Sequence, residues 1–131
     1  MAKPTEVALP AGFHCHVTNF GIKDATNDFT LVVADTTCAA AGVFTQSRFA
    51  GPSVLISRRH IESGSARAVV VLSKNANVAN GQVGYDDAVE VVKGVGDHIG
   101  CDPHEVLIAS TGVIGRRYPM DVIRKGLKAL P

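Results

Sequence analysis

"VLIASTGVIGRRYPM", residues 106–120, joins an apolar run to a glycine-containing turn and then to a proline. The run at 106–110 has the length and composition of a buried strand. Pro119 suits the first turn of a helix, because its missing N–H would have no partner there. The stretch therefore predicts a strand, a loop and a helix in direct succession, with Thr111 and Gly112 where the strand ends.

A strand that ends in Thr-Gly can present a hydroxyl and a backbone N–H side by side, because glycine permits close approach and unusual dihedral angles. Two such donors in a dry pocket are what a developing oxyanion requires. Two other interpretations stay open. One is a plain turn in which Thr111 binds a local main-chain group. The other is a phosphate-binding nest with Arg116 and Arg117, although neither glycine-rich phosphate motif is present.

The rest of the chain alternates between strand and helix patterns. Strands are predicted within 12–23, 28–35, 39–45 and 67–73, and helices within 51–64, 85–100 and 118–130. Short, turn-prone links make the first three strands antiparallel neighbours. The run at 67–73 is continuously apolar, which is typical of a strand covered on both faces. In the helix at 51–64, Val54, Arg58 and Ile61 share one face. This order of elements predicts a mixed α/β layer structure.

The segment "KNANVANGQVG", residues 74–84, is the longest polar, turn-forming part of the sequence. Its three asparagines tolerate left-handed backbone, and their amides can both donate and accept hydrogen bonds. The segment fits either a binding loop or a rigid polar loop that closes a strand.

Composition limits the possible classes of protein. The chain has 131 residues, 46% of them hydrophobic, and a net charge of +1. These values predict one globular domain at 12–131 after a flexible arm at 1–11, with no broad attraction to nucleic acid. No stretch approaches the roughly 20 apolar residues that cross a bilayer. Three unclustered cysteines fit a reducing compartment, so we expect a soluble, cytoplasmic protein.

The sequence offers no complete metal site or nucleophile–base pair. In "HCH", the side chains of His14 and His16 would lie on one face of a strand and Cys15 on the other, so the three cannot easily bind one ion. Hydrogen-bonded or solvated strand histidines are favoured instead. The serines lack the G-x-S-x-G setting of a nucleophile elbow. No catalytic nucleophile is therefore expected in this chain.

Four segments together resemble the ornithine acetyltransferase, or glutamate N-acetyltransferase, family. They are "GFHCH…GIK" (12–23), "GVFTQSRFAGPSV" (42–54), "KNANVANG" (74–81) and "IASTGVIGRRYPM" (108–120). The asparagine segment departs from the common arginine-pathway pattern, with Lys74 in place of a glycine. In this respect it is more similar to the paralogue found in clavulanic acid gene clusters.

The resemblance implies a layered sandwich of mixed sheets with outer helices. It also implies a precursor that cleaves itself before a threonine, which becomes the nucleophile at the start of the β chain. That threonine takes acetyl from N-acetylornithine and passes it to glutamate. Thr111, through its hydroxyl, and Gly112, through its N–H, correspond to the oxyanion hole. No cofactor or metal is implied.

The family's nucleophile segments, of the form K-G-x-G-M and T-T-D, do not occur here. We therefore expect the chain to be an N-terminal part of the α chain, incomplete and inactive without the downstream chain. Its expected partners are the β chain of the same precursor, in a higher hetero-oligomer, with no nucleic acid and no membrane. Two alternatives stay open, a non-catalytic scaffold or binding module and a related self-cleaving aminopeptidase or amidase.

Overall fold

One four-stranded mixed sheet carries three helices in the computed structural model, which describes residues 8–131. The sequence prediction of a mixed α/β fold is confirmed. The strands are β1 (Phe13–Thr18), β2 (Phe29–Ala39), β3 (Ser65–Leu72) and β4 (Val106–Ser110), and the helices are α1 (Pro52–His60), α2 (Gly81–Ile99) and α3 (Met120–Lys128).

The sheet has the order β1-β2-β3-β4. The pairs β1–β2 and β2–β3 are antiparallel, as the short link between the first two strands predicts, while β3 and β4 are parallel. A parallel pair needs a crossover connection, and here α2 provides it. In the register of this pair, Leu72 lies opposite Ser110, so both strands end at the same edge of the sheet.

The core lies between one face of the sheet and the helices. The sheet contributes Phe29, Leu31, Val70 and Val106, and each is at most 4% exposed. One face of α2, which includes Ala88, Val92 and Val95, is fully buried against it, as the helical spacing of 85–100 predicts. Burying each valine or larger side chain contributes about 1.5–3 kcal/mol.

Helix α1 covers the outer edge of β4 with hydroxyl groups. The Ser57 hydroxyl donates to the Ile108 carbonyl oxygen at 2.7 Å and accepts from the Ile108 N–H at 2.8 Å. One turn earlier, the Ser53 and Ser110 hydroxyl groups lie within hydrogen-bond distance, at 3.1 Å. The edge strand thus finds side-chain partners for main-chain groups that a neighbouring strand would otherwise pair.

His60 extends this contact at the other end of α1. Its Nδ1 lies 2.8 Å from the Val106 carbonyl oxygen, so Nδ1 carries the hydrogen and donates. Burial lowers the pKa of His60 below its usual value, which favours the neutral ring in the folded protein.

The prediction of a third strand at 39–45 is wrong. Strand β2 instead continues through Asp35 to Ala39, and residues 40–47 have no regular secondary structure. The segment Asp35–Thr37, expected to be a turn, is accommodated by a register shift between Val33 and Cys38, after which β2 pairs with β3 again. A bulge of this kind lets polar residues interrupt a strand without ending it.

The helix predicted within 51–64 is confirmed, and its buried face is not the one that carries Val54, Arg58 and Ile61. The buried residues of α1 are Pro52, Ser53, Ile56 and Ser57, whereas Arg58 is exposed. The serines are buried because they bind the edge of β4, which no hydrophobic pattern reveals.

The strand predicted at 67–73 is also confirmed. The prediction that both of its faces are covered is wrong, because within the described residues only one face is buried. Along β3, Ala68, Val70 and Leu72 are buried, while Val69 is 37% exposed. On the same face of the sheet as Val69, strand β1 is uncovered as well, and Phe13 and Val17 are exposed there. The sheet therefore has one covered face and one largely apolar open face.

Most of the predicted flexible arm, residues 1–7, lies outside the described residues. Of the helices at residues 8–131, none is both long and apolar enough to cross a membrane.

Replacing Ser57 with alanine tests the edge contact. We expect Ser57→Ala to lower the free energy of unfolding by about 2 kcal/mol, because it leaves the buried Ile108 N–H and carbonyl without partners. The control is Ser53→Ala, which leaves the Ser110 hydroxyl bonded to the Ala76 carbonyl oxygen and should cost less. Urea denaturation measures both variants, and equal losses would contradict this account of the β4 edge.

Candidate functional site

Two loops meet where the parallel strands end. The asparagine loop, residues 73–80, follows β3, and the glycine loop, residues 111–117, follows β4. Because Leu72 and Ser110 lie opposite each other, both loops leave the sheet side by side. The carboxyl ends of parallel strands are the usual location of ligand sites in α/β proteins.

Thr111 and Gly112 begin the glycine loop, as predicted from sequence, and both are exposed. The Thr111 N–H donates to the Leu72 carbonyl oxygen at 3.0 Å, which fixes the start of the loop against β3. Within residues 8–131, the Thr111 hydroxyl and the Gly112 N–H form no hydrogen bond. Two donors on consecutive residues are thus available to a ligand, and their role as an oxyanion hole stays a prediction.

Gly112 packs directly against the backbone of Lys74. A Cβ atom at position 112 would lie 2.2 Å from the carbonyl carbon and oxygen of Lys74, far inside van der Waals contact. The φ angle of Gly112 is +129°, in a region that L side chains rarely adopt. Only glycine therefore fits here, and the position of its N–H depends on the asparagine loop.

Lys74 has left-handed backbone geometry, with φ +76°. The common arginine-pathway pattern has a glycine at this position, and glycine adopts such angles without steric cost. The Lys74 side chain turns toward Asp24, with 3.7 Å between Nζ and Oδ1. Both side chains are largely exposed, so the ion pair contributes little to stability.

Main-chain hydrogen bonds join the two loops. Val113 donates to the Lys74 carbonyl oxygen at 2.8 Å, and its own carbonyl accepts from the Ala76 N–H at 3.0 Å. Further along, the Gly115 N–H donates to the Val78 carbonyl oxygen at 2.7 Å. The loops therefore form one short, parallel pairing beyond the end of the sheet.

Two of the three asparagines of the loop are buried rather than presented to solvent. Asn77 is fully buried with φ +52°, and Asn75 is 8% exposed. Of the two interpretations of this segment, the rigid polar loop describes what these side chains do, because they bind protein backbone. Of the three asparagines, Asn77 alone adopts the left-handed backbone that asparagine tolerates.

Tyr118 directly follows the glycine loop and is buried, at 3% exposed. Ser110 and Asn77 lie beside its hydroxyl group, but within the described part of the chain no partner meets hydrogen-bond geometry with it. Burial raises the pKa of Tyr118 to about 12, so the phenol stays protonated. It is a polar residue of the site that sequence reasoning missed.

The two arginines of the glycine loop do not converge on an anion site. Arg117 forms a bidentate ion pair with Asp87 of α2, with distances of 2.9 Å and 2.8 Å. The carboxylate is 6% exposed, and it raises the pKa of Arg117. Arg117 is therefore committed to a structural contact, which weakens the phosphate-nest interpretation.

The histidines of "HCH" lie away from these loops, on β1. His14 Nε2 is 2.7 Å from an Asp35 carboxylate oxygen, in agreement with the prediction of a hydrogen-bonded strand histidine. No group of three or more histidine, cysteine, aspartate or glutamate side chains at residues 8–131 is arranged to hold a metal ion.

Comparisons with known proteins agree on one family. The ArgJ family profile matches residues 14–131. An arginine biosynthesis bifunctional protein ArgJ 2 from a Nostoc species is 52% identical over 94% of this chain and 32% of its own length. The glutamate N-acetyltransferase Oat2 of Streptomyces clavuligerus is 48% identical over 92% of this chain and 31% of its own. The chain thus spans about a third of the length of these relatives.

A solved structure supports the same similarity. The crystal structure of ornithine acetyltransferase from Mycobacterium tuberculosis, in complex with ornithine, superposes with a TM-score of 0.86 at 34% identity. The match covers 90% of this chain and 65% of that one.

The left-handed backbone at position 74 gives a stability prediction. We expect Lys74→Gly to raise the free energy of unfolding by about 0.5–1 kcal/mol. Glycine removes a steric cost of about 1–2 kcal/mol from the folded state. Part of this gain is lost because glycine makes the unfolded chain more flexible and so favours unfolding. The matched control is Lys74→Ala, which removes the ammonium group but keeps the Cβ atom and should leave stability nearly unchanged. Chemical denaturation measures the free energy of unfolding of both variants. A lower value in Lys74→Gly than in the unaltered chain would contradict a steric cost at this position.

Proposed function

Because the chain belongs to the ArgJ family, we propose that it is the oxyanion-hole portion of a self-cleaving, N-terminal-threonine acetyltransferase. In this proposal it forms part of the α chain, and the β chain of the same precursor supplies the nucleophile. The enzyme moves acetyl from N-acetylornithine to glutamate. Thr111 and Gly112 are the residues of this chain that contact the reacting carbonyl oxygen.

The observation that carries the proposal is the pair of unbonded donors at the end of β4. Thr111 and Gly112 are both exposed residues, and the Thr111 hydroxyl and the Gly112 N–H form no hydrogen bond within the described residues. A hydroxyl and an amide of this kind can follow a carbonyl oxygen as it becomes negatively charged. Gly112 can take this position because it lacks a Cβ atom that would strike Lys74.

The proposed reaction is acyl transfer in two halves. The nucleophilic threonine hydroxyl attacks the acetyl carbonyl of N-acetylornithine, its own amine taking the proton. The resulting oxyanion is stabilised by the two donors of this chain. Its collapse breaks the C–N bond, and the amine of ornithine leaves with the proton held by the threonine amine. The neutral amine of glutamate then attacks the acetyl-enzyme through a second tetrahedral intermediate at the same oxyanion hole. It gives up a proton by way of the threonine amine to the threonine oxygen, which leaves as the restored hydroxyl with N-acetylglutamate as the product. Neither half requires a metal or an organic cofactor.

The open apolar face of the sheet supports the proposal that further residues of the enzyme pack against this chain. Phe13, Val17 and Val69 expose 38%, 47% and 37% of their surfaces there, a large amount of apolar surface for one sheet face. We propose that the part of the enzyme absent from this chain covers it. The chain alone is then inactive, and the complete enzyme is a hetero-oligomer of α and β chains. We assign it to the cytoplasm and to arginine biosynthesis or the related clavulanic acid pathway.

A chimera tests the function. In it, this chain replaces the matching third of the Nostoc relative, and acetyl transfer from N-acetylornithine to glutamate is measured. We expect activity in the chimera and a fall of about 100-fold or more in kcat with Thr111→Ala, since one lost oxyanion donor costs about 3–4 kcal/mol.

Two matched variants complete this experiment. Thr111→Ser keeps the hydroxyl and should retain most of the activity, and Thr26→Ala makes the same deletion in an exposed loop and should have no effect. A folded chimera without activity would reject the acetyltransferase proposal in favour of the scaffold alternative. Acetyl release to water instead of glutamate would favour the amidase alternative.

A further inference from the structure

The glycine loop has no regular secondary structure, so its shape depends on what it contacts. Gly112 lies against the Lys74 backbone, and Val113 pairs with Lys74 and Ala76 on either side of Asn75. The Gly112 N–H is therefore located by the asparagine loop rather than by β4 alone. Whatever holds the asparagine loop also holds the oxyanion donor.

The asparagine loop cannot hold its own shape by regular hydrogen bonding. Three of its residues, Lys74, Asn77 and Ala79, have positive φ angles, which cost free energy unless the surroundings impose them. Asn77 is the fully buried one of the three. A fully buried polar side chain in a loop is stable only if its donors and acceptors are matched.

The side chain of Asn77 is matched to helix α2. Its Nδ2 donates to the Gly84 carbonyl oxygen at 2.6 Å, and its Oδ1 accepts from Asn80 Nδ2 at 2.9 Å. A Cβ atom at Gly84 would lie 2.8 Å from Oδ1, so the close approach requires glycine on the helix. Asn77 thus ties the loop to the first turn of a helix that is packed into the core.

From Asn77 the hydrogen bonds continue to the far end of the glycine loop. Its backbone N–H donates to Asn75 Oδ1 at 2.7 Å, and Asn75 Nδ2 donates to the Arg117 carbonyl oxygen at 2.8 Å. Asn80 Nδ2 also donates to the Arg116 carbonyl oxygen at 2.8 Å. The three asparagines therefore connect α2 to the end of the glycine loop, while the backbone pairing holds its beginning.

We propose that Asn77 is a positioning residue of the oxyanion hole, which sets the location of the Gly112 N–H by fixing the asparagine loop to α2. This inference rests on the proposed function and extends it to a residue that touches no substrate. A loss of its amide would move the donor relative to the reacting oxygen, and a displacement of about 1 Å can reduce a rate about 100-fold.

The substitution Asn77→Asp in the chimera tests the proposal. It keeps the shape of the side chain but turns a carboxylate oxygen toward the Gly84 carbonyl oxygen, where the amide donated. We expect kcat for acetyl transfer to fall about 10- to 100-fold, with KM for N-acetylornithine changed less than about 2-fold.

The pH profile separates positioning from general damage. Burial and the facing Gly84 carbonyl oxygen raise the pKa of the introduced carboxyl group, and the Asn80 amide and the Tyr118 hydroxyl beside it offset part of this rise. The protonated form can donate to Gly84 again. The kcat ratio of Asn77→Asp to the unaltered chimera should therefore recover as the pH falls from about 9 to about 6. The control is Asn27→Asp, the same change at an exposed residue without such bonds, and its ratio should stay near one at every pH.

A second variant, Asn80→Ala, tests the same proposal independently if Asn77→Asp does not fold. Asn80→Ala removes the bonds to Asn77 and Arg116 from a partly exposed position, and kcat should fall about 10-fold at constant KM. Unchanged kcat in either folded variant, or a loss through KM alone, would overturn the role of Asn77 and leave the proposed function intact. An unaltered chimera without transfer activity would overturn both.

Discussion

The parallel pairing of β3 and β4 is the constraint on which the candidate site depends. It requires a crossover, which α2 supplies, and the helix fills the covered face of the sheet with apolar side chains. Because Leu72 and Ser110 end in register, two loops distant in sequence leave the sheet as neighbours. The donors at Thr111 and Gly112 and the asparagines that flank them are brought together by this pairing.

Much of the fold can be predicted from the spacing of apolar residues and from the glycines and prolines at the ends of helices and strands. The apolar run before Thr111 and the proline after the loop are sufficient to predict β4 and α3, and the valine spacing of α2 predicts its buried face. Long-range contacts decided the remainder. A bulge carries β2 past Asp35, and Ser57 is buried because it binds the backbone of Ile108. Neither contact leaves a hydrophobic pattern in the sequence.

The site was predictable in its residue types and less so in its architecture. Threonine followed by glycine at a strand end indicates two available donors, and both remain unbonded within the described residues. The burial of Asn77 was not predictable, because an asparagine in a polar link between a strand and a helix is typical of an exposed turn. The contact between Gly112 and Lys74 joins residues 38 positions apart, and only the register of the sheet reveals it.

The absence of space between Gly112 and Lys74 also affects how proteins with this pair of loops can diverge or be redesigned. A side chain at position 74 points away from the contact and can vary, whereas any change in its backbone path displaces the neighbouring glycine. The two loops therefore constitute a single unit of inheritance. Exchange of one loop between homologues would carry a steric mismatch into the other, so recombination breakpoints are best tolerated outside the segment that contains both loops, before β3 or beyond Tyr118.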